Sequence, residues 1–252
     1  MKLMRNIIIF IRGLVNFPYF IKLSNEEPIL IGGCGRSGTT LLLSILGSHP
    51  KIHAINREAG LFAHPKLNRR SNFITRLNIS AELFKDRKKT AIRYVEKTPK
   101  NINNLSRSFK FFNSKLKFIH IVRDGREVIT SRHPSAKDKY WVSFERWVND
   151  VSNGLEYSNN PNVLLVKYED LVSEFDKTIV LIFDFLDLEL ANEVYDYTKH
   201  TSVQKNNAWD DVIKNLYKSR SRSKNTNDMK RISSFMQNPK VIKLMKKLNY
   251  ID

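Results

Sequence analysis

Short apolar runs recur along the chain, separated by longer segments in which apolar residues follow helical spacing. Runs rich in Ile, Val, Leu and Phe and bounded by turn residues are typical of buried strands. Because such runs alternate here with helical segments, the pattern predicts an α/β fold: a parallel sheet with helices on both faces. One predicted strand begins at Pro28, and the others cover Thr90 to Glu96, Lys117 to Val122 and Asn162 to Tyr168.

Helices are predicted between these strands. Within Lys139 to Tyr157, Trp141, Phe144 and Trp147 recur at helical spacing, which most simply forms a stripe facing the core. Further helices are predicted over Thr39 to Leu46, Ser71 to Lys89, the residues after Pro99 with Asn101 or Asn103 as the cap, Thr178 to Leu186, and Pro239 to Leu248.

Length and composition indicate one domain. The chain has 252 residues, of which 41% are hydrophobic, enough to bury one sizeable core. Its formal net charge of +18 leaves two interpretations open: an anionic partner or surface, or a drift of composition toward Lys, Asn and Ile. Cys34 is the only cysteine, so the fold needs no oxidising compartment, and we expect a cytoplasmic protein.

The N-terminal segment, residues 1–24, mixes basic and apolar residues. Arg12, Asn16 and Pro18 interrupt it too often for the roughly 20 apolar residues of a membrane-spanning helix. A helix packed on the domain is the favoured interpretation, and a basic amphipathic helix on a membrane surface is the alternative. The α/β domain is expected to occupy residues 25–252.

A polar, basic stretch near residues 202–227 is expected to be a mobile loop within that domain. It includes the run Lys218 to Lys224, in which serine alternates with arginine or lysine. The run is short and has no aromatic residues for base stacking, so a solvated loop is favoured over a nucleic-acid site.

The glycine-rich segment Gly32 to Thr40 joins the first strand to the first helix. Its glycines let backbone N–H groups approach an anion, and the helix N-terminus directs further donors to the same place. Gly33 to Thr40 fits the frame G-x-x-x-x-G-K-[ST] of triphosphate-binding loops except that Thr39 replaces the lysine. Arg36 supplies a charge within the loop instead, which suits a nucleotide whose 5′ end carries less charge than a triphosphate.

Three further groups of polar residues follow predicted strands, where open α/β sheets bind their ligands. They are Glu58; the run Glu96 to Pro99, which contains Lys97; and the run Arg123 to Arg126, with Ser131 and Arg132 expected further along the same helix. Asp124 is more plausible as a helix cap than as a metal ligand. No His/Cys/Asp/Glu cluster in the sequence has metal-ligand spacing.

Together these motifs resemble the sulfotransferases that use 3′-phosphoadenosine 5′-phosphosulfate (PAPS). The run Gly35 to Leu41 is similar to the family's 5′-phosphosulfate loop, and Phe118 to Arg126 with Ser131 is similar to its 3′-phosphate site. Tyr168 to Leu171 and Leu248 to Tyr250 resemble further family segments, so the likeness spans Pro28 to Tyr250. His49-Pro50 followed by Glu58 is closest to the tyrosylprotein and bacterial carbohydrate branches, and the histidine base of the cytosolic aryl and steroid enzymes has no obvious counterpart.

The resemblance implies a role for each matching residue. Glu58 is the expected general base, and Lys97 and Arg36 would stabilise the leaving phosphate oxygen. Arg123 and Ser131 would bind the 3′-phosphate, with Arg126 and Arg132 either assisting or facing solvent. PAPS would be the co-substrate, and the mechanism requires no metal. The residues expected to contact the nucleotide are Gly35, Arg36, Ser37, Gly38, Thr39, Thr40, Arg123 and Ser131.

The acceptor is expected to carry a hydroxyl or amine on a glycan, a lipid, a small molecule or a peptide tyrosine. Two other functions stay open: a nucleoside-triphosphate-dependent kinase or ATPase on the same loop, and a non-enzymatic basic protein that binds nucleic acid or a membrane surface. The kinase is disfavoured by Thr39 and because Arg123, not a magnesium-binding acid, directly follows the strand ending at Val122.

Overall fold

The computed structural model describes residues 26–60, 69–83, 87–133, 135–136, 138–203, 205–206, 211–212 and 225–252, with eight residues between Met4 and Val15. The strands are β1 (Ile29–Gly32), β2 (Ile52–Ala54), β3 (Arg93–Lys97), β4 (Lys117–Val122), β5 (Val163–Lys167), β6 (Lys205–Asn206) and β7 (Asp211–Val212). The helices are α1 (Thr39–Ser48), α2 (Arg69–Leu83), α3 (Leu105–Phe111), α4 (Gly125–Ile129), α5 (Phe144–Leu155), α6 (Tyr168–Ser173), α7 (Phe175–Phe185), α8 (Tyr197–His200), α9 (Thr226–Met236) and α10 (Pro239–Lys247), with 3₁₀ turns at Pro99–Asn104 and Asn192–Val194.

Five parallel strands form the central sheet in the order β2-β3-β1-β4-β5. Alternate residues of the central strand β1 point to opposite faces: Ile29 and Ile31 pack with α1 and α7, whereas Leu30 packs with Ile79 and Phe118. Both faces are therefore covered, which confirms the predicted α/β fold. The parallel arrangement also brings the carboxyl ends of all five strands to one edge.

Several predicted placements are wrong. Ser131 and Arg132 do not lie on the helix after Arg123, because that helix ends at Ile129. Its last carbonyls accept hydroxyl hydrogen bonds from Thr130 and Ser131, and Arg132 forms a β-bridge with Tyr140. The helix expected from Lys139 begins only at Phe144.

Another wrong placement concerns the residues after Pro99. They form a 3₁₀ turn, and the α-helix starts at Leu105 with neither Asn101 nor Asn103 as its cap. The side chain of Asn101 instead donates to Glu96, and that of Asn103 donates to Asp150. Both side chains stabilise contacts between segments rather than a helix end.

The expected mobile loop is described only in part. Its basic run, Lys218 to Lys224, lies outside the described residues. Short strands β6 and β7 pair antiparallel within the stretch, and α9 begins at Thr226 with Asn225 and Asp228 forming a capping box. In the described residues, no helix is long and apolar enough to cross a membrane.

Candidate active site

The loop between β1 and α1 has the shape of an anion cradle. Arg36, with φ 74°, and Gly38, with φ 94°, both adopt left-handed backbone. The Gly33 N–H donates to Pro99 O over 3.1 Å, which anchors the loop to the segment after β3. Because no side chain caps α1 and no acidic residue stands in its first turn, its first N–H groups and dipole favour an anion.

Two glycines of this loop allow close packing that a side chain would block. A Cβ at Gly38 would overlap the ring of Tyr168, and one at Gly35 would lie 3.0 Å from both Trp141 Nε1 and Arg146 Nη2. Gly38 would also be strained in its left-handed conformation if it were any other residue. Glycine is therefore favoured at Gly38 by both its backbone conformation and the lack of space, and at Gly35 by the lack of space.

Arg123, directly after β4, lies against this loop. Its Nη1 donates to the backbone oxygen of Arg36 over 3.4 Å, and its guanidinium stacks on the Tyr168 ring at 4.4 Å. The Glu127 carboxylate lies 3.7 Å from Arg123 Nη2. The structure thus brings the two predicted phosphate sites together at neighbouring strands.

A second layer of hydrogen bonds positions the Arg123 turn. Glu169 accepts the Asp124 backbone N–H at 3.1 Å through one carboxylate oxygen and the Tyr250 hydroxyl at 2.8 Å through the other. Burial and the nearby Glu169 carboxylate raise the pKa of Tyr250 well above its usual value, so the hydroxyl remains a donor. The sequence singled out Glu169 and Tyr250 only as parts of recurrent segments, and the contacts explain why they occur together.

Asp124 has the expected capping role, because its Oδ1 accepts the Arg126 backbone N–H at 2.8 Å. The Arg126 side chain turns back onto the same carboxylate, with Nη2 at 2.6 Å from Oδ2. Arg132 pairs with Asp228 of α9 at 2.8 Å. Arg126 therefore stabilises the turn after β4, and Arg132 links the segment after α4 to α9.

Ser131 lies beyond α4 and is buried. Its Oγ donates to the Glu127 carbonyl at 3.0 Å, and its own carbonyl accepts the Trp141 N–H at 2.9 Å. Glu127 also lies beside Arg123, so Ser131 is linked to the candidate phosphate site through that residue.

Glu58 and Lys97 form an ion pair at the same edge of the sheet. Lys97 ends β3 in register with Ile31 of β1, which places it beside the start of the glycine-rich loop. Its Nζ donates to Glu58 Oε1 over 2.7 Å. Lys97 is buried, whereas the Glu58 side chain is 53% exposed. A carboxylate that is held at one oxygen and open to solvent can receive a proton from a docked acceptor.

A buried network lies behind this pair. Glu96 is completely buried; its Oε1 accepts the Thr98 hydroxyl and its Oε2 accepts the Asn101 amide, each at 2.6 Å. Burial raises the pKa of Glu96 while these hydrogen bonds oppose the rise. Sequence reasoning noted the run Glu96 to Pro99 but assigned a role only to Lys97. Alternation along β3 was the available signal, since it turns Glu96 and Lys97 to opposite faces.

Two buried histidines, His49 after α1 and His120 in β4, have partners away from this site. His49 Nε2 lies 3.0 Å from the Glu189 carbonyl, and His49 Nδ1 accepts the Lys51 N–H. His120 is buried against Gly154, and that burial lowers its pKa to about 3. These contacts keep both rings in structural roles. Within the described part of the chain, no cluster of three His, Cys, Asp or Glu side chains could hold a metal ion.

Comparison with known proteins identifies a family to which the chain is similar. A family model described as "Sulfotransferase domain" matches residues 26–241. A putative protein-tyrosine sulfotransferase of Caenorhabditis briggsae is 28% identical over 202 residues, covering 68% of this chain and 70% of the relative. Sulfotransferase 2A1 of Mus musculus is 26% identical over 204 residues, covering 72% of this chain and 68% of the relative.

Solved structures share the fold. The sulfotransferase domain from the curacin biosynthetic pathway has a TM-score of 0.60 and 16% identity, covering 90% of this chain and 98% of that domain. Mouse sulfotransferase SULT7A1, solved in complex with PAP, has a TM-score of 0.55 and 17% identity, covering 88% of this chain and 89% of its own. At these identities the likeness concerns the fold.

Proposed function

Because this chain belongs to the sulfotransferase domain family, we propose that it transfers a sulfuryl group from PAPS to a hydroxyl or amine of an acceptor. The observation that carries the proposal is the hydrogen bond from Arg123 to the Arg36 backbone, which joins two cationic loops at adjacent strand ends. A ligand bound across both loops carries phosphate at two separated positions. The mouse relative solved with PAP supports this choice.

The nucleotide would lie along the carboxyl edge of the sheet. Its 5′-phosphosulfate would occupy the loop from Gly35 to Thr40, including Arg36, Ser37, Gly38 and Thr39, where N–H donors and the α1 dipole converge. Its 3′-phosphate would meet Arg123 and the Ser131 region. The Arg123 guanidinium lies over the Tyr168 ring, a contact that holds it in place for such an interaction.

In the transfer step, the acceptor oxygen attacks sulfur while the bond from sulfur to the bridging phosphate oxygen breaks. Glu58 takes the acceptor proton, and the electron pair of the broken bond goes to the phosphate of the leaving 3′,5′-ADP. Lys97 and Arg36 would stabilise that developing charge. The proximity of Lys97 to both Glu58 and the loop after β1 supports this division of roles.

Calorimetry tests the nucleotide assignment. The full chain should bind 3′,5′-ADP more tightly than ATP with Mg²⁺, because Thr39 stands where triphosphate-binding loops have lysine. Tighter ATP-Mg²⁺ binding would favour a kinase or ATPase instead. A non-enzymatic basic protein would be favoured by two results together: DNA or vesicle binding that persists without Arg36 and Arg123, and no sulfated product from any acceptor.

Labelled PAPS tests the reaction and its acceptor. Incubation with acidic glycans, lipids, phenols and tyrosine peptides should label one class, and the positive net charge favours an anionic one. Glu58→Gln should then reduce transfer by about 100-fold or more while 3′,5′-ADP binding persists. Retained turnover in Glu58→Gln would remove Glu58 from the base role.

We also propose that the enzyme is cytoplasmic and touches an anionic lipid surface through its N-terminal segment. Seven apolar side chains of its described helical residues are between 44% and 73% exposed: Met4, Ile7, Ile8, Phe10, Ile11, Leu14 and Val15. Gly13 is buried against Leu77 of α2, which supports packing of this helix on the domain by another side. Residues 1–25 contain four basic and no acidic residues, a charge suited to anionic headgroups.

Vesicle sedimentation tests this contact. The chain should sediment with phosphatidylcholine vesicles that contain phosphatidylglycerol and much less with phosphatidylcholine alone. Replacing Ile7 and Ile11 by Asn should release it. The matched control replaces Val180 and Leu181, two exposed apolar residues of α7, by Asn. The proposal would be overturned if the chain bound both vesicle types equally, or if the variant at Ile7 and Ile11 bound as well as the unmodified chain.

A further inference from the structure

Three consecutive residues beginning with Glu58 are hydrogen-bonded to three consecutive residues at the end of β3. The Glu58 carboxylate meets Lys97, the Ala59 N–H donates to the Glu96 carboxylate, and the Gly60 N–H donates to Thr98 Oγ1 over 3.0 Å. The segment carrying Glu58 is therefore held at its backbone as well as at its side chain.

These contacts extend the pairing of β2 and β3 beyond the last backbone hydrogen bond between them. Strands β2 and β3 pair up to Ala54 and Val95, and the Ile55 N–H still donates to the Val95 carbonyl at 3.0 Å. Beyond that point the chain runs on without ladder pairing. Side-chain oxygens of Glu96 and Thr98 then accept the backbone donors that a strand partner would otherwise bind.

Both acceptors bind more than one group. The Thr98 hydroxyl accepts from Gly60 and donates to Glu96 Oε1 at 2.6 Å, so it relays between the two segments. Glu96 accepts from Thr98, Asn101 and Ala59. All three of these groups donate, which is the arrangement that an ionised carboxylate accepts and a neutral amide does not reproduce.

The network also reaches the glycine-rich loop. Asn101 Nδ2, which donates to Glu96, lies 3.4 Å from the carbonyl of Ile31 in β1. Two residues before Asn101, the Pro99 carbonyl accepts the Gly33 N–H at 3.1 Å. The same few residues thus touch the segment bearing Glu58 on one side and the anion cradle on the other.

We infer that Glu96 and Thr98 are positioning residues that set the distance between the Glu58 carboxylate and the sulfuryl group bound at the glycine-rich loop. This inference rests on the proposed sulfuryl transfer with Glu58 as base. An error of about 1 Å in such a distance can cost about 100-fold in rate. Neither residue touches the reacting atoms, so the effect falls on turnover and spares nucleotide affinity.

The test compares Thr98→Val with Thr98→Ser in the full chain, using labelled PAPS and the acceptor found by screening. Valine keeps the shape of threonine and removes the hydroxyl, whereas serine keeps the hydroxyl. Thr98→Val should lower kcat about 10- to 100-fold with 3′,5′-ADP affinity within about twofold of the unmodified chain. Thr98→Ser should restore most of the turnover, and Glu96→Gln should resemble Thr98→Val.

The matched control is Thr201→Val. Thr201 is also buried, and its hydroxyl also accepts a backbone N–H, that of Val203 at 3.1 Å, but it follows α8 rather than β3. The substitution Thr201→Val should leave kcat unchanged. The inference would be overturned if Thr201→Val lost as much turnover as Thr98→Val, if Thr98→Ser did not restore turnover, or if Thr98→Val kept full turnover.

Hydrogen exchange separates failure of this inference from failure of the proposed function. The amides of Ala59 and Gly60 should be protected in the unmodified chain, and Thr98→Val should speed exchange at Gly60 without changing amides of β4. If exchange follows this pattern but PAPS labels no acceptor, the contacts hold and the proposed function fails. Unprotected amides at Ala59 and Gly60 would overturn the positioning role whatever the activity.

Discussion

Lys97 Nζ lies 2.7 Å from Glu58 Oε1, although the two residues are 39 positions apart in the chain. Lys97 ends β3, and Glu58 follows β2, the neighbouring parallel strand. Only 8% of the Lys97 side chain is exposed, against 53% for Glu58. The pair therefore consists of a buried cation and a carboxylate that is open to solvent.

A double-mutant cycle on this pair should be non-additive. Lys97→Met and Glu58→Gln should each lower transfer from labelled PAPS by about 100-fold or more. Because the side chains are in contact, the double variant should lose far less than the product of the two effects. Losses that multiply would show that the two groups act independently, contrary to the geometry.

Arg123→Gln should weaken binding of 3′,5′-ADP by about 10- to 100-fold, because a charge-assisted hydrogen bond is worth about 1.5–3 kcal/mol. Binding of 5′-AMP, which has no 3′-phosphate, should change little. Calorimetry with both nucleotides checks this. The control is Arg93→Gln, at the opposite end of β3, where the arginine pairs with Glu27. Equal losses for the two nucleotides would contradict a 3′-phosphate role.

Tyr250→Phe should loosen the Arg123 turn from a distance. It removes the hydroxyl that donates to Glu169, whose other oxygen holds the Asp124 N–H. A hydrogen bond to a charged group contributes about 1.5–3 kcal/mol, so we expect a lower free energy of unfolding and about 3- to 10-fold weaker 3′,5′-ADP binding. Urea unfolding and calorimetry measure the two effects. An unchanged nucleotide affinity would confine Tyr250 to stability.

His120 should make the fold sensitive to acid. Burial lowers its pKa from 6.5 to about 3, so the folded chain keeps the ring neutral while the unfolded chain protonates it below pH 6.5. The stability from this group is present above pH 6.5 and is lost as pH falls toward 3, by up to about 1.4 kcal/mol per pH unit. Urea unfolding across this range should show a shallower slope for His120→Asn. Identical slopes would rule out His120 as the source.

Much of the sheet and one end of the site follow from local sequence signals. Lys117–Val122 is a buried strand at its predicted bounds because an uninterrupted apolar run has one favourable environment, the sheet centre. Gly38 ends the cradle where the G-x-x-x-x-G frame requires it. Asp124 caps the turn after β4, as its position predicts. Each of these features depends on neighbours within a few residues.

Other features depend on contacts between distant segments. Arg132 lies outside the helix expected for it and forms a β-bridge with Tyr140 instead. Asn101 is a residue type that often caps helices, yet its side-chain amide donates to Glu96, a buried glutamate in the preceding strand. Glu96 itself is a charged residue in an apolar strand, and only its three-dimensional partners explain why burial is tolerated. Local propensity carries no information about such partners.

Strands β1 and β4 are direct neighbours, with Gly32 paired to His120. The glycine-rich loop leaves β1 after Gly32, whereas Arg123 follows β4 two residues beyond the position level with Gly33. Their starting points are therefore offset by one interstrand spacing of about 4.8 Å and by two residues along the strand, about 3.3 Å each. Backbone hydrogen bonds between the two strands fix this separation. The distance between the charged groups of a nucleotide would therefore select it, independently of any contact to its base.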